Sequence, residues 1–325
     1  MLPENPRLGV IGFGEAGYYM SKGLKEAGFG QIVAYNNGRR NKPPYTEAFK
    51  QKAQSIDVKL TTTLKELIEN TDLIFSTVIP QASVEVTREA APFLAPSHLY
   101  VDLNSCSPEA KREGWGILKE RGVCYVDGVI GVGNPIQDEN RSPIPSTGEG
   151  AKESRATISK YEHRSPICAA GEGAEEFHDT MSKYGMNIYA VSGKVGDAAL
   201  LKMIISTLAK GIDSLLWESF QALHKAGLDP KIYASHWASR AGLFDGADHM
   251  ISRTAIHARR RAGEMEFSAD TLRSLGVEPI MAEATAKHLA WCAGLNLQDY
   301  FPEGQPSTYK AVFEILDRIK QEGKA

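Results

Sequence analysis

The sequence predicts an α/β domain on a doubly wound parallel sheet, followed by an all-α domain, in one chain of 325 residues. Three observations carry this. Short apolar runs alternate with amphipathic helical stretches as far as about Ser192. Runs that are apolar throughout, rather than at every second residue, belong to strands covered on both faces, as in parallel sheets. A glycine-rich turn joins the first run to the first helix, and beyond Ser192 only helical patterns remain.

The strands are expected at 7–13 (RLGVIGF), 31–35 (QIVAY), 72–79 (DLIFSTVI), 98–103 (HLYVDL) and 122–130 (GVCYVDGVI). Between them run helical stretches such as AGYYMSKGLKEAG and SPEAKREGWGILKERG. The second opens on Ser107 and Pro108, a cap and a first-turn residue by type. Residues 134–164 are polar and rich in Pro and Gly, and a connection of that length is either functional or disordered. After Ser192 the helical pattern is broken at Gly227–Pro230, around Gly242, at Gly276–Pro279 and at Gly294. The expected domains are therefore 1–192 and 193–325.

Composition excludes several classes. Hydrophobic residues make up 42% and charged residues 24%, with a net charge of −3, so no field draws nucleic acid or an anionic membrane. No apolar run approaches the ~18 residues of a membrane span, and the N-terminal stretch MLPENPRLGVIGFG has no basic and apolar segments of a secretory signal. Cys106, Cys124, Cys168 and Cys292 lack metal-ligand spacing and read as free thiols of a cytoplasmic protein. No metal site is expected.

Gly12-Phe13-Gly14-Glu15-Ala16-Gly17 fits G-x-G-x-x-G between a strand and a helix. In that setting the glycines allow a tight turn and close backbone approach to a diphosphate, with the helix N-terminus facing the charge. About twenty residues on, where a carboxylate would hold the 2′-hydroxyl of NAD, stand Asn36 and Asn37, then Gly38, Arg39 and Arg40. Arg presents a planar fork to phosphate oxygens, so NADP(H) is expected over NAD(H). Thr77, Val78 and Ile79 end a strand at the edge where such sheets bind ligands, and are expected either to line the nicotinamide ribose or simply to pack. Asn104 and Ser105 end the next strand and bond either to ligand or within a local turn. Gly131 and Gly133 suit close approach by a substrate, or a plain turn.

Lys202 lies in GDAALLKMIIS, among Ala198, Ala199, Leu201, Met203 and Ile205. It is either a base whose pKa burial lowers or a snorkelling surface lysine. Ser206 lies one helical turn on, on the same face. Arg253, His257, Arg260 and Glu264 share a face of a later helix. That face is a solvated surface, or Arg260 or Arg261 binds a substrate anion.

Together these stretches resemble the β-hydroxyacid dehydrogenase superfamily, which includes 6-phosphogluconate and 3-hydroxyisobutyrate dehydrogenases. The resemblance runs through GVIGFGEAGYYMSKGL, VDLNSCSPE, DGVIGVG and GKVGDAALLKMIIS. It implies a Rossmann NAD(P)-binding domain and an all-helical substrate and dimerisation domain. It implies hydride transfer between nicotinamide and a small hydroxy acid or its semialdehyde or keto partner, with Lys202 as general acid/base. The family's cofactor and substrate contacts fall on Ser105, Gly131, Val132, Gly133 and Ser206. Gly131 stands where the family has Ser, and Ser206 where it has Asn, so the substrate itself does not transfer. A homodimer is implied. Imine or ketone reduction, as in related reductases, and NADP binding without turnover are the competing readings.

Overall fold

The computed structural model describes residues 2–38, 41–131, 165–225, 227–228 and 247–321. The described residues form two compact units, which part between Lys202 and Met203.

The first unit is an eight-stranded sheet with helices on both faces. In chain order it contains β1 (Leu8–Ile11), α1 (Glu15–Glu26), β2 (Ile32–Tyr35), α2 (Glu47–Gln54), β3 (Lys59–Leu60), α3 (Leu64–Glu69) and β4 (Leu73–Ser76). Then follow α4 (Ser83–Ala90), β5 (Leu99–Asp102), α5 (Pro108–Lys119), β6 (Cys124–Ile130), β7 (Ile167–Ala170), α6 (Ala174–Met181) and β8 (Ile188–Ser192). The strand order is β3-β2-β1-β4-β5-β6-β7-β8, so the winding direction reverses between β1 and β4. Every pair is parallel except β6–β7.

Alternate residues of the central strands feed two separate cores. Leu8, Val10, Leu73, Phe75, Leu99 and Val101 pack on one face with Met20, Leu24 and Phe177. Ile11, Val33, Ile74 and Tyr100 pack on the other with Leu67, Ile68 and Leu118. That double coverage is why these strands read as continuous apolar runs. Side-chain caps close the helices locally: Thr46 accepts from the Phe49 amide, Thr63 from Glu66 and Ser107 from Ala110, with Pro108 in the first turn of α5.

Two expectations need correction. The run 72–79 is a strand only to Ser76, after which Thr77–Ile79 lead into a 3₁₀ turn at Pro80–Ala82. The sheet also extends beyond a purely parallel one, because β7 returns antiparallel to β6 and β8 follows parallel to β7.

A long helix, α7 (Asp197–Lys225), begins in the first unit, where Ala198 and Ala199 pack on Val129, Cys168 and Ala170 of the sheet. From Met203 it belongs to the second unit, with α8 (Ala247–Ser274), α9 (Ile280–Gly294) and α10 (Tyr309–Gln321). Its core gathers Trp217 and Phe220 of α7, Ile251 and Ala255 of α8, and Val312, Phe313 and Leu316 of α10. The break expected at Gly276–Pro279 separates α8 from α9, with Gly276 at φ +75°. Of the break expected at Gly227–Pro230, Gly227 follows the end of α7 at φ +67°, while Asp229 and Pro230, the break around Gly242 and the connection 134–164 lie outside the described residues.

Candidate active site

The glycine-rich turn leaves β1 at Ile11 and enters α1 at Glu15. Gly12 adopts φ +95°, and a Cβ there would lie 2.5 Å from the Thr77 carbonyl oxygen. Gly17 is as tight, at 2.4 Å from the Gly12 carbonyl oxygen. Gly14 differs from both. It is exposed, and a Cβ at this position would meet no atom of the described residues within 4 Å. The protein's own packing therefore gives no reason for a glycine at 14. α1 starts at Gly14 without a side-chain cap, which leaves its first amides for another acceptor. An open approach beside an uncapped helix N-terminus fits the diphosphate of a nicotinamide dinucleotide. Phe13 turns its ring into the core, edge-on to Tyr18 and Phe49 with centroids 5.9 Å away in each case. Only its main chain remains on the turn, beside exposed Glu15 and half-buried Ala16.

At the end of β2 the Asn36 amide donates to the Tyr45 hydroxyl (3.0 Å), which itself donates to the Thr61 carbonyl (3.0 Å). The Asn36 side chain donates to the Asn41 carbonyl, and Asn37 is exposed. In the sequence residues 36–40 carry no carboxylate, and Arg39 and Arg40 lie outside the described residues. Across the winding reversal, Thr77 Oγ1 donates to the Gly12 carbonyl at 2.7 Å, so this side chain braces the glycine turn. Val78 is half-buried and Ile79 is 66% exposed.

Beyond β5, the Asn104 amide and Nδ2 donate to Asp102 Oδ1 at 2.9 and 2.7 Å, and Nδ2 also donates to Ser76 Oγ at 3.0 Å. Asn104 thus makes the local turn bonds, while its buried Oδ1 has no partner among the described residues. Ser105 is half-buried beside it. β6 ends at Ile130, and exposed Gly131 follows at φ +82°. Val132 and Gly133 lie outside the described residues.

Lys202 reaches this same strand end. Its Nζ donates to the Ile130 carbonyl at 2.8 Å and lies 3.4 Å from where a Gly131 Cβ would stand. The ammonium is thus held at the carboxyl edge of the sheet, where open α/β sheets take their ligands. Its surroundings are less uniformly apolar than the sequence suggests. Ala198, Ala199 and Met203 are buried, but Leu201 and Ile205 are 36% and 40% exposed.

In the second unit Ser206 is 3% exposed and accepts from Lys210 Nζ at 3.0 Å. Lys210 pairs with Glu264 at 2.9 Å, and Arg260 pairs with the same carboxylate. Arg261 and Arg253 both pair with Asp213. Burial pushes the Lys210 ammonium below its ordinary value, against the pull of Glu264. The face expected as a solvated surface is therefore partly interior, with Arg261 and Glu264 buried and Arg260 half-exposed. Sequence reasoning missed Lys210 and Asp213. The signal was their spacing from Ser206, which puts them on its side of α7.

Among the described residues no group of three His, Cys, Asp or Glu could hold a metal. None of the cysteines is in a disulfide. Burial pushes the Cys106 thiol up to about 12, which keeps it protonated and unreactive. Among the described residues no helix is long and apolar enough to cross a membrane.

The first unit has the fold of a nicotinamide-dinucleotide-binding domain, and comparison with known proteins agrees. Residues 7–150 match the NAD-binding domain of 6-phosphogluconate dehydrogenase. Residues 224–292 match a domain of unknown function, DUF1932. A curated relative from Methanothermus fervidus, described as an uncharacterized 28.5 kDa protein in the 7S RNA 5′ region, is 26% identical over 290 residues. That match covers 88% of this chain and 100% of the relative. A conserved hypothetical protein from Sinorhizobium meliloti 1021 has a solved structure that is 26% identical, with TM-score 0.65, over 97% of this chain and 96% of that one. The 3-hydroxyisobutyrate dehydrogenase of Salmonella typhimurium shares the fold at 14% identity and TM-score 0.64, over 95% of this chain and 99% of that one.

Proposed function

We propose that this protein is an NADP(H)-dependent oxidoreductase acting on a small hydroxy acid or its semialdehyde or keto counterpart, with Lys202 as general acid/base. The observation that carries the reading is the Lys202 ammonium held on the Ile130 carbonyl at the sheet's carboxyl edge. Bound nicotinamide supplies or accepts the hydride at its C4. In oxidation, neutral Lys202 takes the hydroxyl proton as the carbinol carbon gives up its hydride. In reduction, the ammonium returns that proton to the oxygen. Gly12, Gly14 and Gly17 shape the diphosphate turn, and the amides of Phe13, Glu15 and Ala16 line its floor. Thr77, Val78, Ile79 and Ser105 border the nicotinamide end. Asn104 Oδ1, Gly131, Val132, Gly133 and Ser206 are assigned to substrate. Arg260 takes an anionic group of the substrate by exchanging Glu264 for it.

The uncharged end of β2, together with Arg39 and Arg40 in the sequence, supports NADP(H) over NAD(H). A screen of NADPH oxidation against aldehydes, keto acids and imines tests the whole reading. The expected result is turnover with a small keto acid or semialdehyde and a KM for NADPH at least about tenfold below that for NADH. A tenfold preference for NADH overturns the cofactor assignment, and tight NADPH binding without turnover of any class overturns the enzyme.

We also infer a homodimer, with residues 193–325 as the substrate and dimerisation domain. Leu201, Ile204, Ile205, Leu208 and Leu215 are spaced along α7 at helical intervals and are 36–68% exposed. An apolar stripe of that kind belongs against a partner. Light scattering at micromolar concentration is expected to give twice the chain mass, and a monomer there removes the dimer.

A further inference from the structure

Lys111 is fully buried, at 0% exposure, in the first turn of α5. A lysine is almost never buried so completely unless its charge is paired and its protons are used. Here they are. Nζ donates to the Asp102 carbonyl at 2.7 Å, to Asp102 Oδ1 at 2.9 Å and to the Gly128 carbonyl at 3.0 Å. A second carboxylate, Asp127 Oδ1, stands 3.5 Å away. Asp102 and Asp127 are themselves 1% and 0% exposed. Burial alone pushes the Lys111 ammonium down, but the negative charges around it, chiefly Asp102, outweigh that and hold it above the ordinary lysine value.

One cation between two anions leaves one negative charge over, and that charge has a destination. Asp127 Oδ2 accepts the amides of Gly196 (3.0 Å) and Ala199 (3.1 Å), at the start of α7. A carboxylate on the first amides of a helix is favourable both as hydrogen bond and as charge against the dipole. Gly196 cannot supply the cap from its own side chain, and a Cβ there would stand 2.6 Å from Arg112 Nη1. The cap is delivered from β6 instead. Three residues along the same strand, the Ile130 carbonyl receives Lys202 Nζ. Strand β6 therefore grips α7 at its first amides and again at Lys202. Asp102 is fixed in turn, by Ser83 Oγ at 2.6 Å and the Tyr125 hydroxyl at 2.8 Å.

We infer that Asp102, Lys111 and Asp127 form a positioning network that sets the register of α7 on β6 and so places the Lys202 amine. Lys111 is the strut: it ties Asp127 to Asp102 and the Gly128 carbonyl, and without it two interior carboxylates face each other unscreened. The inference deepens the proposed function, on which the chemical role of Lys202 rests. None of the three residues touches the reacting atoms; each acts through Lys202.

The test is Asp127→Asn, which preserves volume and one oxygen, with Lys111→Met as the second variant. Lys202 reactivity is read by trace acetylation with acetic anhydride and mass spectrometry, using exposed Lys65 as the internal reference. In Asp127→Asn the expected Lys202 labelling relative to Lys65 rises roughly threefold or more, as the amine leaves the Ile130 carbonyl. NADPH affinity stays within about twofold, and kcat falls at least about tenfold with little change in KM. Lys111→Met is expected to shift labelling further in the same direction. Unchanged Lys202 labelling in folded Asp127→Asn overturns the inference. Loss of the circular-dichroism signature in that variant also overturns it, because the network is then framework alone. If labelling shifts but Lys202→Ala still turns over, the positioning stands and the acid/base assignment falls.

Discussion

Lys202→Ala is expected to lower kcat by roughly 10³-fold while leaving NADPH affinity within about twofold, because positioned acid–base groups contribute ~10²–10⁴. That loss corresponds to about 4 kcal/mol of transition-state stabilisation. The two readouts separate cleanly because they draw on different parts of the first unit. On the proposed reading, affinity depends on the turn from Gly12 to Gly17 at the start of α1, whereas the amine is carried by α7 and held at the end of β6. Lys202→Met keeps the aliphatic length and removes the proton carrier, and is expected to match the alanine variant. A Lys202→Ala enzyme with kcat within about threefold of the parent takes this residue out of the chemistry.

The second large effect is a contrast between two glycines of one turn. Gly14→Val is expected to fold and melt like the parent, because a side chain at 14 enters open space. Its NADPH dissociation constant is expected to rise roughly 100-fold, since the new atoms occupy the approach a diphosphate needs. Gly17→Val is expected to lose both binding and stability, because its Cβ would stand 2.4 Å from the Gly12 carbonyl oxygen and 2.9 Å from Thr77 Oγ1. Fluorescence titration with NADPH and thermal melts read the two properties independently. Parental NADPH affinity in Gly14→Val overturns the assignment of this turn to the cofactor.

Much of the fold was legible because burial on both faces of a central strand leaves an unbroken apolar run. LGVI, IVAY, LIFS and LYVD are such runs. Three strands were missed: β7 is buried throughout, but as ICAA it offers only one β-branched residue, and the other two are not buried throughout. β3 is two residues long, one of them the exposed Lys59, and β8 is an edge strand with mostly half-exposed side chains. The site divides in the same way. Lys202 and the glycine turn are marked by local spacing, so a reader of sequence finds them. Lys111 is not: in SPEAKREGW it looks like one charge of a solvated helix. Its partners come from β5 and β6, and only the folded sheet brings them to it. The buried pairing of Arg261 was hidden for the same reason, since its partner Asp213 lies on another helix.

The bare N-terminus of α1 has a consequence for the life of the protein in the cell. A helix end without its own side-chain cap is a local weakness that an anionic ligand can mend. A dinucleotide seated there at a hundred times its dissociation constant adds about 2.7 kcal/mol to folding stability. For a molecule only marginally stable, that sum separates survival from proteolysis. With the dinucleotide bound as proposed, the nicotinamide pool would bear on how many copies persist as well as on how fast each one works.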